Sequence, residues 1–177
     1  MQLMPIRLPK SYIPKSWIDP RIEVRASSIE GQGMFAREPI QQGEVVVVWG
    51  GQVFSEADIK AGKARDRSTI PVDDGIFLGS RYDEPESLDE YMNHNCNSNV
   101  WMQDEVTLVA RWDIAKGEEL TLDYALWEAD PDWQMKCSCG SPMCRKLVTG
   151  NDWKLTQLQI RYRDRFSPYI AARIQNL

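Results

Sequence analysis

The sequence predicts a mostly β fold that ends in helices, and three observations support this prediction. Short runs rich in β-branched residues recur through the first 125 positions, and glycine and proline turns separate them. Beyond about residue 150, apolar residues recur at helical spacing instead. The predicted strands are IEVRAS at 22–27, VVVVW at 45–49, IFLG at 76–79, VTLVARWDI at 106–114 and LTLDY at 120–124.

The segments between the first strands are predicted to be turns and one short helix. Residues 1–20 are rich in proline and polar residues, which indicates an extended arm or a strand-and-turn lead-in. A turn at Gly31 and Gly33 leads into MFAR, and Ser55 suits the N-cap of a short helix. The segment RYDEPESLDEYMNHNC at 81–96 is predicted to pass from an acidic loop into a helical or irregular turn.

Two helices are predicted at the C-terminus. Leu158, Tyr162 and Phe166 recur every four residues, so residues 152–165 are predicted to form one amphipathic helix. The Ser-Pro pair at 167–168 has the chemistry of an N-cap and a first helical position, so a second short helix is expected to begin there. We interpret this tail as structural.

The composition excludes several classes of protein. The longest apolar run, VVVVW, is far shorter than the roughly 20 residues of a membrane-spanning helix. The N-terminal sequence MQLMPIRLPKSYIPK has no uninterrupted apolar stretch, so we expect no secretory signal and an intracellular location, in the cytoplasm or the nucleus or nucleoid. A net charge of −5 and a pI near 5.0 argue against general affinity for nucleic acid and favour encounter with basic partners.

The four cysteines form a predicted zinc site. Cys137, Cys139 and Cys144 lie in the run CSCGSPMC, and Cys96 lies in NHNCNSN. Four thiolates bind Zn²⁺ tetrahedrally, and a closed all-sulfur shell is typical of structural zinc. The alternatives are four buried free cysteines or a disulfide, but the Ser- and Gly-rich context suits a ligand loop, and the expected intracellular location disfavours a disulfide.

Four motifs in a fixed order resemble those of the SET domain, a family of protein lysine methyltransferases. They are GQGMFA at 31–36, NHNCNSN at 93–99, GEELTLDY at 117–124 and CSCGSPMC at 137–144. The matching family motifs are G-x-G-x-F-A, N-H-S-C-x-P-N, G-E-E-L-T-x-D-Y and the post-SET C-x-C-x4-C. A lone G-x-G is unspecific, whereas the ordered set of four is specific.

The resemblance implies a fold and a domain organisation. The expected fold is a SET-type β-clip of small twisted sheets with a pseudoknot, together with a zinc-bound post-SET loop. This threading, which is rare in proteins, would bring Asn93, His94 and Tyr124 into one cleft. The expected units are an N-terminal arm at 1–20, a SET domain at 21–126, a post-SET zinc loop at 127–150 and a helical tail at 151–177.

The activity that the resemblance implies is methyl transfer from S-adenosylmethionine to a protein lysine. Keeping an amine of pKa about 10.4 neutral near pH 7.4 amounts to roughly 4 kcal/mol, and desolvation in a narrow apolar channel lowers that pKa. Tyr124 matches the catalytic tyrosine of the family. A phenol of pKa near 10 is a poor general base at neutral pH, so we assign Tyr124 orientation and electrostatics. The alternative is a tyrosine at a strand end in the core.

The resemblance also assigns the binding residues. Those implied for the cofactor are Gly31, Gln32, Gly33, Met34, Asn93, His94 and Leu147. Asn93 is expected to act through its side chain and His94 through its backbone. His94 is the only histidine, and we expect it to be a packed hydrogen-bonding residue that neither catalyses nor binds zinc. Trp49, Tyr91 and Leu122 are implied for the substrate channel.

Several positions depart from the pattern of the family, including Asn95 and Ser98, which replace the usual Ser and Pro of N-H-S-C-x-P-N. Trp49 stands where a channel tyrosine is common, so the wall lacks a phenol. Leu122 replaces the Phe or Tyr that decides how many methyl groups fit, which makes multiple methylation the hypothesis. Glu90 replaces a frequent arginine. Val148 replaces an aromatic residue that often covers the adenine, so modest cofactor affinity is expected.

The favoured interpretation is an intracellular protein-lysine N-methyltransferase that uses S-adenosylmethionine and one structural Zn²⁺. Five acids between residues 83 and 90 would steer a lysine in a basic protein segment toward the channel, although a solvated surface also explains them. We expect neither a membrane nor nucleic acid as a direct partner. The alternatives are a non-catalytic SET-like protein-interaction module with a structural zinc, and a zinc-dependent nucleic-acid binder, which the acidic pI disfavours.

Overall fold

The computed structural model describes residues 11–177, and most strands in this range join one sheet. That sheet contains β1 (Trp17–Ile18), β2 (Ile22–Ala26), β3 (Gln32–Ala36), β4 (Val45–Val48), β8 (Asn93–His94), β9 (Val100–Met102), β10 (Thr107–Ala110) and β11 (Glu119–Leu122). The strand order is β1-β4-β10-β9-β11-β3-β2, and β8 pairs with β11 outside this path. The predicted mostly β class with C-terminal helices is therefore confirmed.

Two smaller sheets complete the β structure. The three-stranded sheet has the order β5-β7-β6, with β5 at Gln52–Ser55, β6 at Ile70–Asp73 and β7 at Ile76–Gly79. The two-stranded sheet pairs β12 (Gln134–Lys136) with β13 (Leu147–Thr149) and carries the cysteine run between its strands.

The helices are short. Helix α1 (Glu56–Lys60) begins as predicted at Ser55, whose side chain accepts from the Asp58 backbone in a capping box. Helix α3 (Pro168–Ile174) begins at the predicted Ser-Pro pair, where the Ser167 hydroxyl accepts from the Ile170 backbone. Helix α2 spans Thr156–Tyr162. Single 3-10 turns occur at Leu88–Tyr91, Tyr124–Leu126, Asp152–Lys154 and Arg163–Arg165. None of the helices within residues 11–177 has the length and apolar character that crossing a bilayer requires.

The single helix predicted over 152–165 is wrong. A 3-10 turn occupies Asp152–Lys154, and Arg163 ends α2 with a φ of +47°. The Asp152 carboxylate accepts from Thr149 and Arg145, which ties the start of the segment to neighbouring residues instead of to a helix. The period of four identified the buried face, since Leu158, Tyr162 and Phe166 are all buried, but it carries no information about these breaks.

Strand β11 brings three of the sequence motifs together. Strand β8 runs parallel to it, with Asn93 opposite Thr121 and His94 opposite Leu122. Strand β3 pairs with its other side in antiparallel fashion, and Met34 lies opposite Leu120. Parallel neighbours require a long crossover connection, so residues far apart in sequence meet at the end of β11. Tyr124 lies two residues beyond that end, after Asp123.

The tail packs on the same core as the sheet. Leu158, Tyr162 and Ile170 belong to one buried cluster with sheet residues such as Val47 and Leu108. A second, smaller cluster contains three of the cysteines and Val148. The predicted boundaries between the four units of the chain stay a prediction.

Candidate active site and metal centre

Two different constraints require glycine in the turn. Gly31 needs it for its backbone conformation, and Gly33 needs it because side chains lie close to its backbone. Gly31 has a φ of +46°, a conformation that favours glycine. Gly33, predicted to be in a turn, lies within β3. A Cβ on Gly33 would sit 2.1 Å from Glu119 Oε1 and 3.1 Å from Asn93 Nδ2. Glycine is thus needed at 33 because two polar side chains pack directly on its backbone.

Asn93 and Glu119 hold the glycine turn in place. Asn93 Nδ2 lies 3.1 Å from the Glu30 carbonyl, 2.9 Å from the Gln32 carbonyl and 2.8 Å from Glu119 Oε1. Glu119 also accepts from the Ser27 hydroxyl at 2.8 Å. Glu119 was missed by the sequence analysis because GEEL is an ordinary turn sequence. The amide of Asn93 is therefore engaged in organising the turn.

The remaining residues predicted for the cofactor fall in different surroundings. Gln32 is exposed, whereas Met34 is fully buried, so its side chain belongs to the core. Leu147 is 48% exposed in β13. The neighbouring Val148 is fully buried against the cysteines and lines no open surface.

Tyr124 is held at both its backbone and its hydroxyl. Its N–H donates to His94 Nδ1 at 3.2 Å, and its hydroxyl donates to the Met92 carbonyl at 2.9 Å. Burial raises the pKa of Tyr124 to about 12, and the positive charge of Arg67 opposes this only in part. The phenol stays protonated at neutral pH, as its expected role requires.

Tyr124 lines a pocket with aromatic walls. The predicted channel residues Trp49 and Leu122 line the same pocket. Trp127 also lines it, with its ring centroid 5.6 Å from Tyr124 and 6.2 Å from Trp49. Tyr91, which was also predicted for the channel, is not among the lining residues of this pocket, and its hydroxyl donates to Glu86. The signal that could have identified Trp127 is its place three residues after Tyr124.

The pocket also carries charged groups. Asp89, Glu90 and Arg67 are among its lining residues. Burial raises the pKa of Glu90, whose carboxylate lies 3.7 Å from Arg65 Nε. Asp89 accepts from the Ser16 hydroxyl at 3.0 Å. Two of the five acids noted in the sequence thus face the pocket together with one cation.

The four cysteines form a group that could hold a metal ion. Their sulfur atoms all lie within 4.8 Å of one another, and the Sγ atoms of Cys96 and Cys137 are 3.9 Å apart. A tetrahedral site with Zn–S bonds of about 2.3 Å needs sulfur separations near 3.8 Å, so the group fits Zn²⁺. Burial raises the pKa of the Cys96 thiol to about 11, so a bound cation would favour the thiolate that ligation requires.

His94 bridges this cysteine group and Tyr124. Its Nδ1 accepts from the Tyr124 backbone, which places the proton on Nε2, 3.2 Å from Cys96 Sγ. The Arg145 N–H donates to the same sulfur at 3.3 Å. Burial lowers the pKa of His94 to about 4, so the ring is neutral. This is the packed hydrogen-bonding role that the sequence predicted.

Comparisons with known proteins identify relatives and a shared fold. Histone-lysine N-methyltransferase trr of Drosophila melanogaster is 29% identical over 137 residues, which cover 69% of this chain and 6% of that protein. The probable histone-lysine N-methyltransferase set-23 of Caenorhabditis briggsae is 25% identical over 156 residues, or 78% of this chain and 65% of that protein. The chain therefore spans less than two thirds of the length of either relative.

A solved structure shares the fold. Arabidopsis thaliana SUVH6, in a crystal structure with SAM, superposes with a TM-score of 0.60 at 18% identity, over 73% of this chain and 33% of that one. The family model for the SET domain matches residues 31–125, which is more than half of the chain and stops before the cysteine run at 137–144. The match contains the glycine turn, Asn93, His94 and Tyr124, and on this evidence the chain belongs to the SET-domain family.

Proposed function

We propose that this chain transfers a methyl group from S-adenosylmethionine to a lysine side chain of a protein. The observation that carries the proposal is the position of Tyr124, which lines an aromatic pocket just beyond the end of the strand that pairs with Asn93 and His94. The names of the relatives, histone-lysine N-methyltransferases, support the reaction class.

The aromatic walls suit the lysine side chain. Trp49, Trp127 and Leu122 present apolar surface to a tetramethylene stem and exclude water from the amine, which lowers the pKa of the amine. Indole faces also attract a methylated ammonium product. The indole N–H of Trp127 is buried and has no hydrogen-bond partner among residues 11–177.

Tyr124 positions the amine in this proposal. Its hydroxyl hydrogen is donated to the Met92 carbonyl, so the oxygen lone pairs remain available to accept from the amine. S-adenosylmethionine supplies a sulfonium-bound methyl: the amine lone pair forms the N–C bond, the C–S bond breaks and the sulfur leaves as a thioether. The proton of the product ammonium passes to water, because a phenol with a pKa of about 12 stays protonated.

The cofactor would lie against the glycine turn in this proposal. The proposed contacts are Gly31, Gln32, Gly33 and the backbone of His94. The space beside the Gly31 backbone is open, and Asn93 holds the turn through the Gln32 carbonyl. The side chain of Met34 is assigned to packing because it is fully buried. The exposed Leu147 is assigned to the rim. The four-cysteine group would hold one structural Zn²⁺.

The substrate is proposed to be a protein lysine in a basic segment, met inside the cell. The carboxylates of Asp89 and Glu90, two residues that line the pocket, favour basic residues beside the substrate lysine. Labelled S-adenosylmethionine, incubated with the protein and with purified histones or a cell extract, should label lysines that mass spectrometry then identifies. Binding of S-adenosylmethionine without any labelled lysine would refute the proposal. Absence of binding as well would favour the non-catalytic interaction module.

A further inference from the structure

The residue before Tyr124 is the centre of a buried hydrogen-bond network. Asp123 is fully buried. Its carboxylate accepts from Arg145 Nη1 and Nη2, both at 2.7 Å, and from the Tyr162 hydroxyl at 2.9 Å. It also accepts from the Ala125 N–H at 3.1 Å and thereby caps the 3-10 turn that begins with Tyr124. A carboxylate held by this many donors fixes the backbone around it.

The partners of Asp123 come from outside the segment matched by the family model. Arg145 follows directly after Cys144 in the cysteine run. Tyr162 is the last residue of α2, in the tail. The match to the family ends at residue 125, so both partners lie beyond it.

The tail also holds the other end of the same turn. The Ser167 N–H donates to the Leu126 carbonyl at 2.8 Å. Ser167 is itself buried and caps α3. The turn Tyr124–Leu126 is therefore attached to the tail at its first residue, through Asp123 and Tyr162, and at its last residue, through Ser167.

We propose that the C-terminal tail is a positioning element for Tyr124, and that Tyr162 is its main positioning residue. The proposal rests on the proposed function, because the position of Tyr124 affects rate only if Tyr124 takes part in methyl transfer. Misplacing a reacting group by about 1 Å can cost up to roughly a hundredfold in rate. A hydrogen bond that fixes the turn can therefore affect turnover without any contact to substrate.

The test compares two tyrosine variants that each lose one hydrogen bond to a carboxylate. Tyr162→Phe removes the donor to Asp123 and keeps the ring. Tyr12→Phe is the matched control, because the Tyr12 hydroxyl donates to Glu105 at 2.7 Å, a carboxylate outside the turn. For Tyr162→Phe we expect kcat to fall about tenfold with the affinity for S-adenosylmethionine unchanged, and for Tyr12→Phe we expect kcat within about twofold of wild type.

Amide hydrogen exchange at residues 124–126 gives a readout that needs no turnover. We expect faster exchange there in Tyr162→Phe and wild-type exchange in Tyr12→Phe. If wild type transfers no methyl group, the proposed function fails while the exchange result still tests the tail. The inference is overturned if Tyr162→Phe keeps kcat and protection, or if both variants lose activity equally.

A second variant tests the same hydrogen-bond network independently, in case Tyr162→Phe does not fold. Arg145→Lys keeps the positive charge but loses the forked contact to Asp123, which a single ammonium cannot reproduce. The same loss of kcat and of protection at residues 124–126 is expected, with the zinc content unchanged. Unaltered kcat and exchange in Arg145→Lys would overturn the inference that the hydrogen bonds of Asp123 fix the position of Tyr124.

Discussion

Replacing Arg145 by methionine should destabilise the protein strongly. The side chains of Arg145 and Asp123 are 9% and 0% exposed, and two N–H···O contacts of 2.7 Å join them. A third contact of 2.7 Å joins Arg145 to Asp152. Removing one partner of a buried pair costs about 3–5 kcal/mol, because the other charge is left uncompensated. Methionine keeps most of the volume, so the cavity contribution is small.

The destabilisation should depend on pH in a defined direction. In wild type, Arg145 holds the pKa of Asp123 below its ordinary value although burial opposes this, so the carboxylate contributes stability above the unfolded pKa of about 4. Without Arg145, we expect burial to outweigh the remaining donors, Tyr162 and Ala125, and to raise the pKa of Asp123. Stability is then lost as pH rises from the unfolded to the folded pKa. The difference in the free energy of unfolding between wild type and Arg145→Met is therefore largest near neutral pH. It becomes smaller at lower pH, where the Asp123 carboxylate of the variant is protonated.

Urea unfolding followed by circular dichroism measures this difference, at about pH 7.5 and about pH 5.5, with zinc content checked in each sample. Lys60→Met is the control, because Lys60 forms an exposed pair with Glu56, and we expect no resolvable change in its unfolding midpoint. Adding Asp123→Asn to Arg145→Met should recover part of the loss. The reasoning would be refuted if Arg145→Met lost less than about 1 kcal/mol of unfolding free energy, or if the loss were not smaller at about pH 5.5 than at about pH 7.5.

Three other perturbations test separate parts of the account. Removing metal with a chelator is expected to lower the melting temperature, and added Zn²⁺ is expected to restore it, because the four thiolates tie Cys96 to the cysteine run. An unchanged melting temperature after verified metal loss would contradict the zinc site. Wild type is expected to give multiply methylated lysine. Leu122→Tyr is expected to shift the products toward monomethyl-lysine, because a phenol in the pocket restricts rotation of the amine. A wild type that stops at monomethyl-lysine would count against multiple methylation. The rate is expected to rise with pH as the substrate amine loses its proton, without a decrease caused by Tyr124 below about pH 11. Ionisation of Tyr124 between about pH 9 and 10, followed by the ultraviolet absorbance that Tyr124→Phe lacks, would contradict the raised pKa.

The sequence was most informative where residues of one chemistry occur at fixed spacing. The cysteine pattern predicted a group that could hold zinc, and the four sulfurs do lie together. The ordered motifs predicted that Asn93, His94 and Tyr124 meet, which the parallel pairing of β8 with β11 achieves. Ligand chemistry and strand patterns are local properties, so they can be read without knowing the rest of the fold.

The parts that the sequence did not predict depend on contacts between distant segments. Asp123 looks like an ordinary residue at a strand end, and only the folded chain shows that Arg145 and Tyr162 converge on it. The break at Arg163 and the orientation of Tyr91 toward Glu86 were missed for the same reason. Periodicity identifies which face of a segment is buried, but it does not identify the partner on that face.

The most direct test of the central claim compares Tyr124→Phe with wild type. Phenylalanine keeps the ring among Trp127, Trp133 and His94 and removes only the hydroxyl. Turnover with a protein substrate identified by labelling should be almost abolished, while calorimetry should give the same affinity for S-adenosylmethionine as in wild type. Near-normal turnover in Tyr124→Phe would contradict the assignment of the catalytic site.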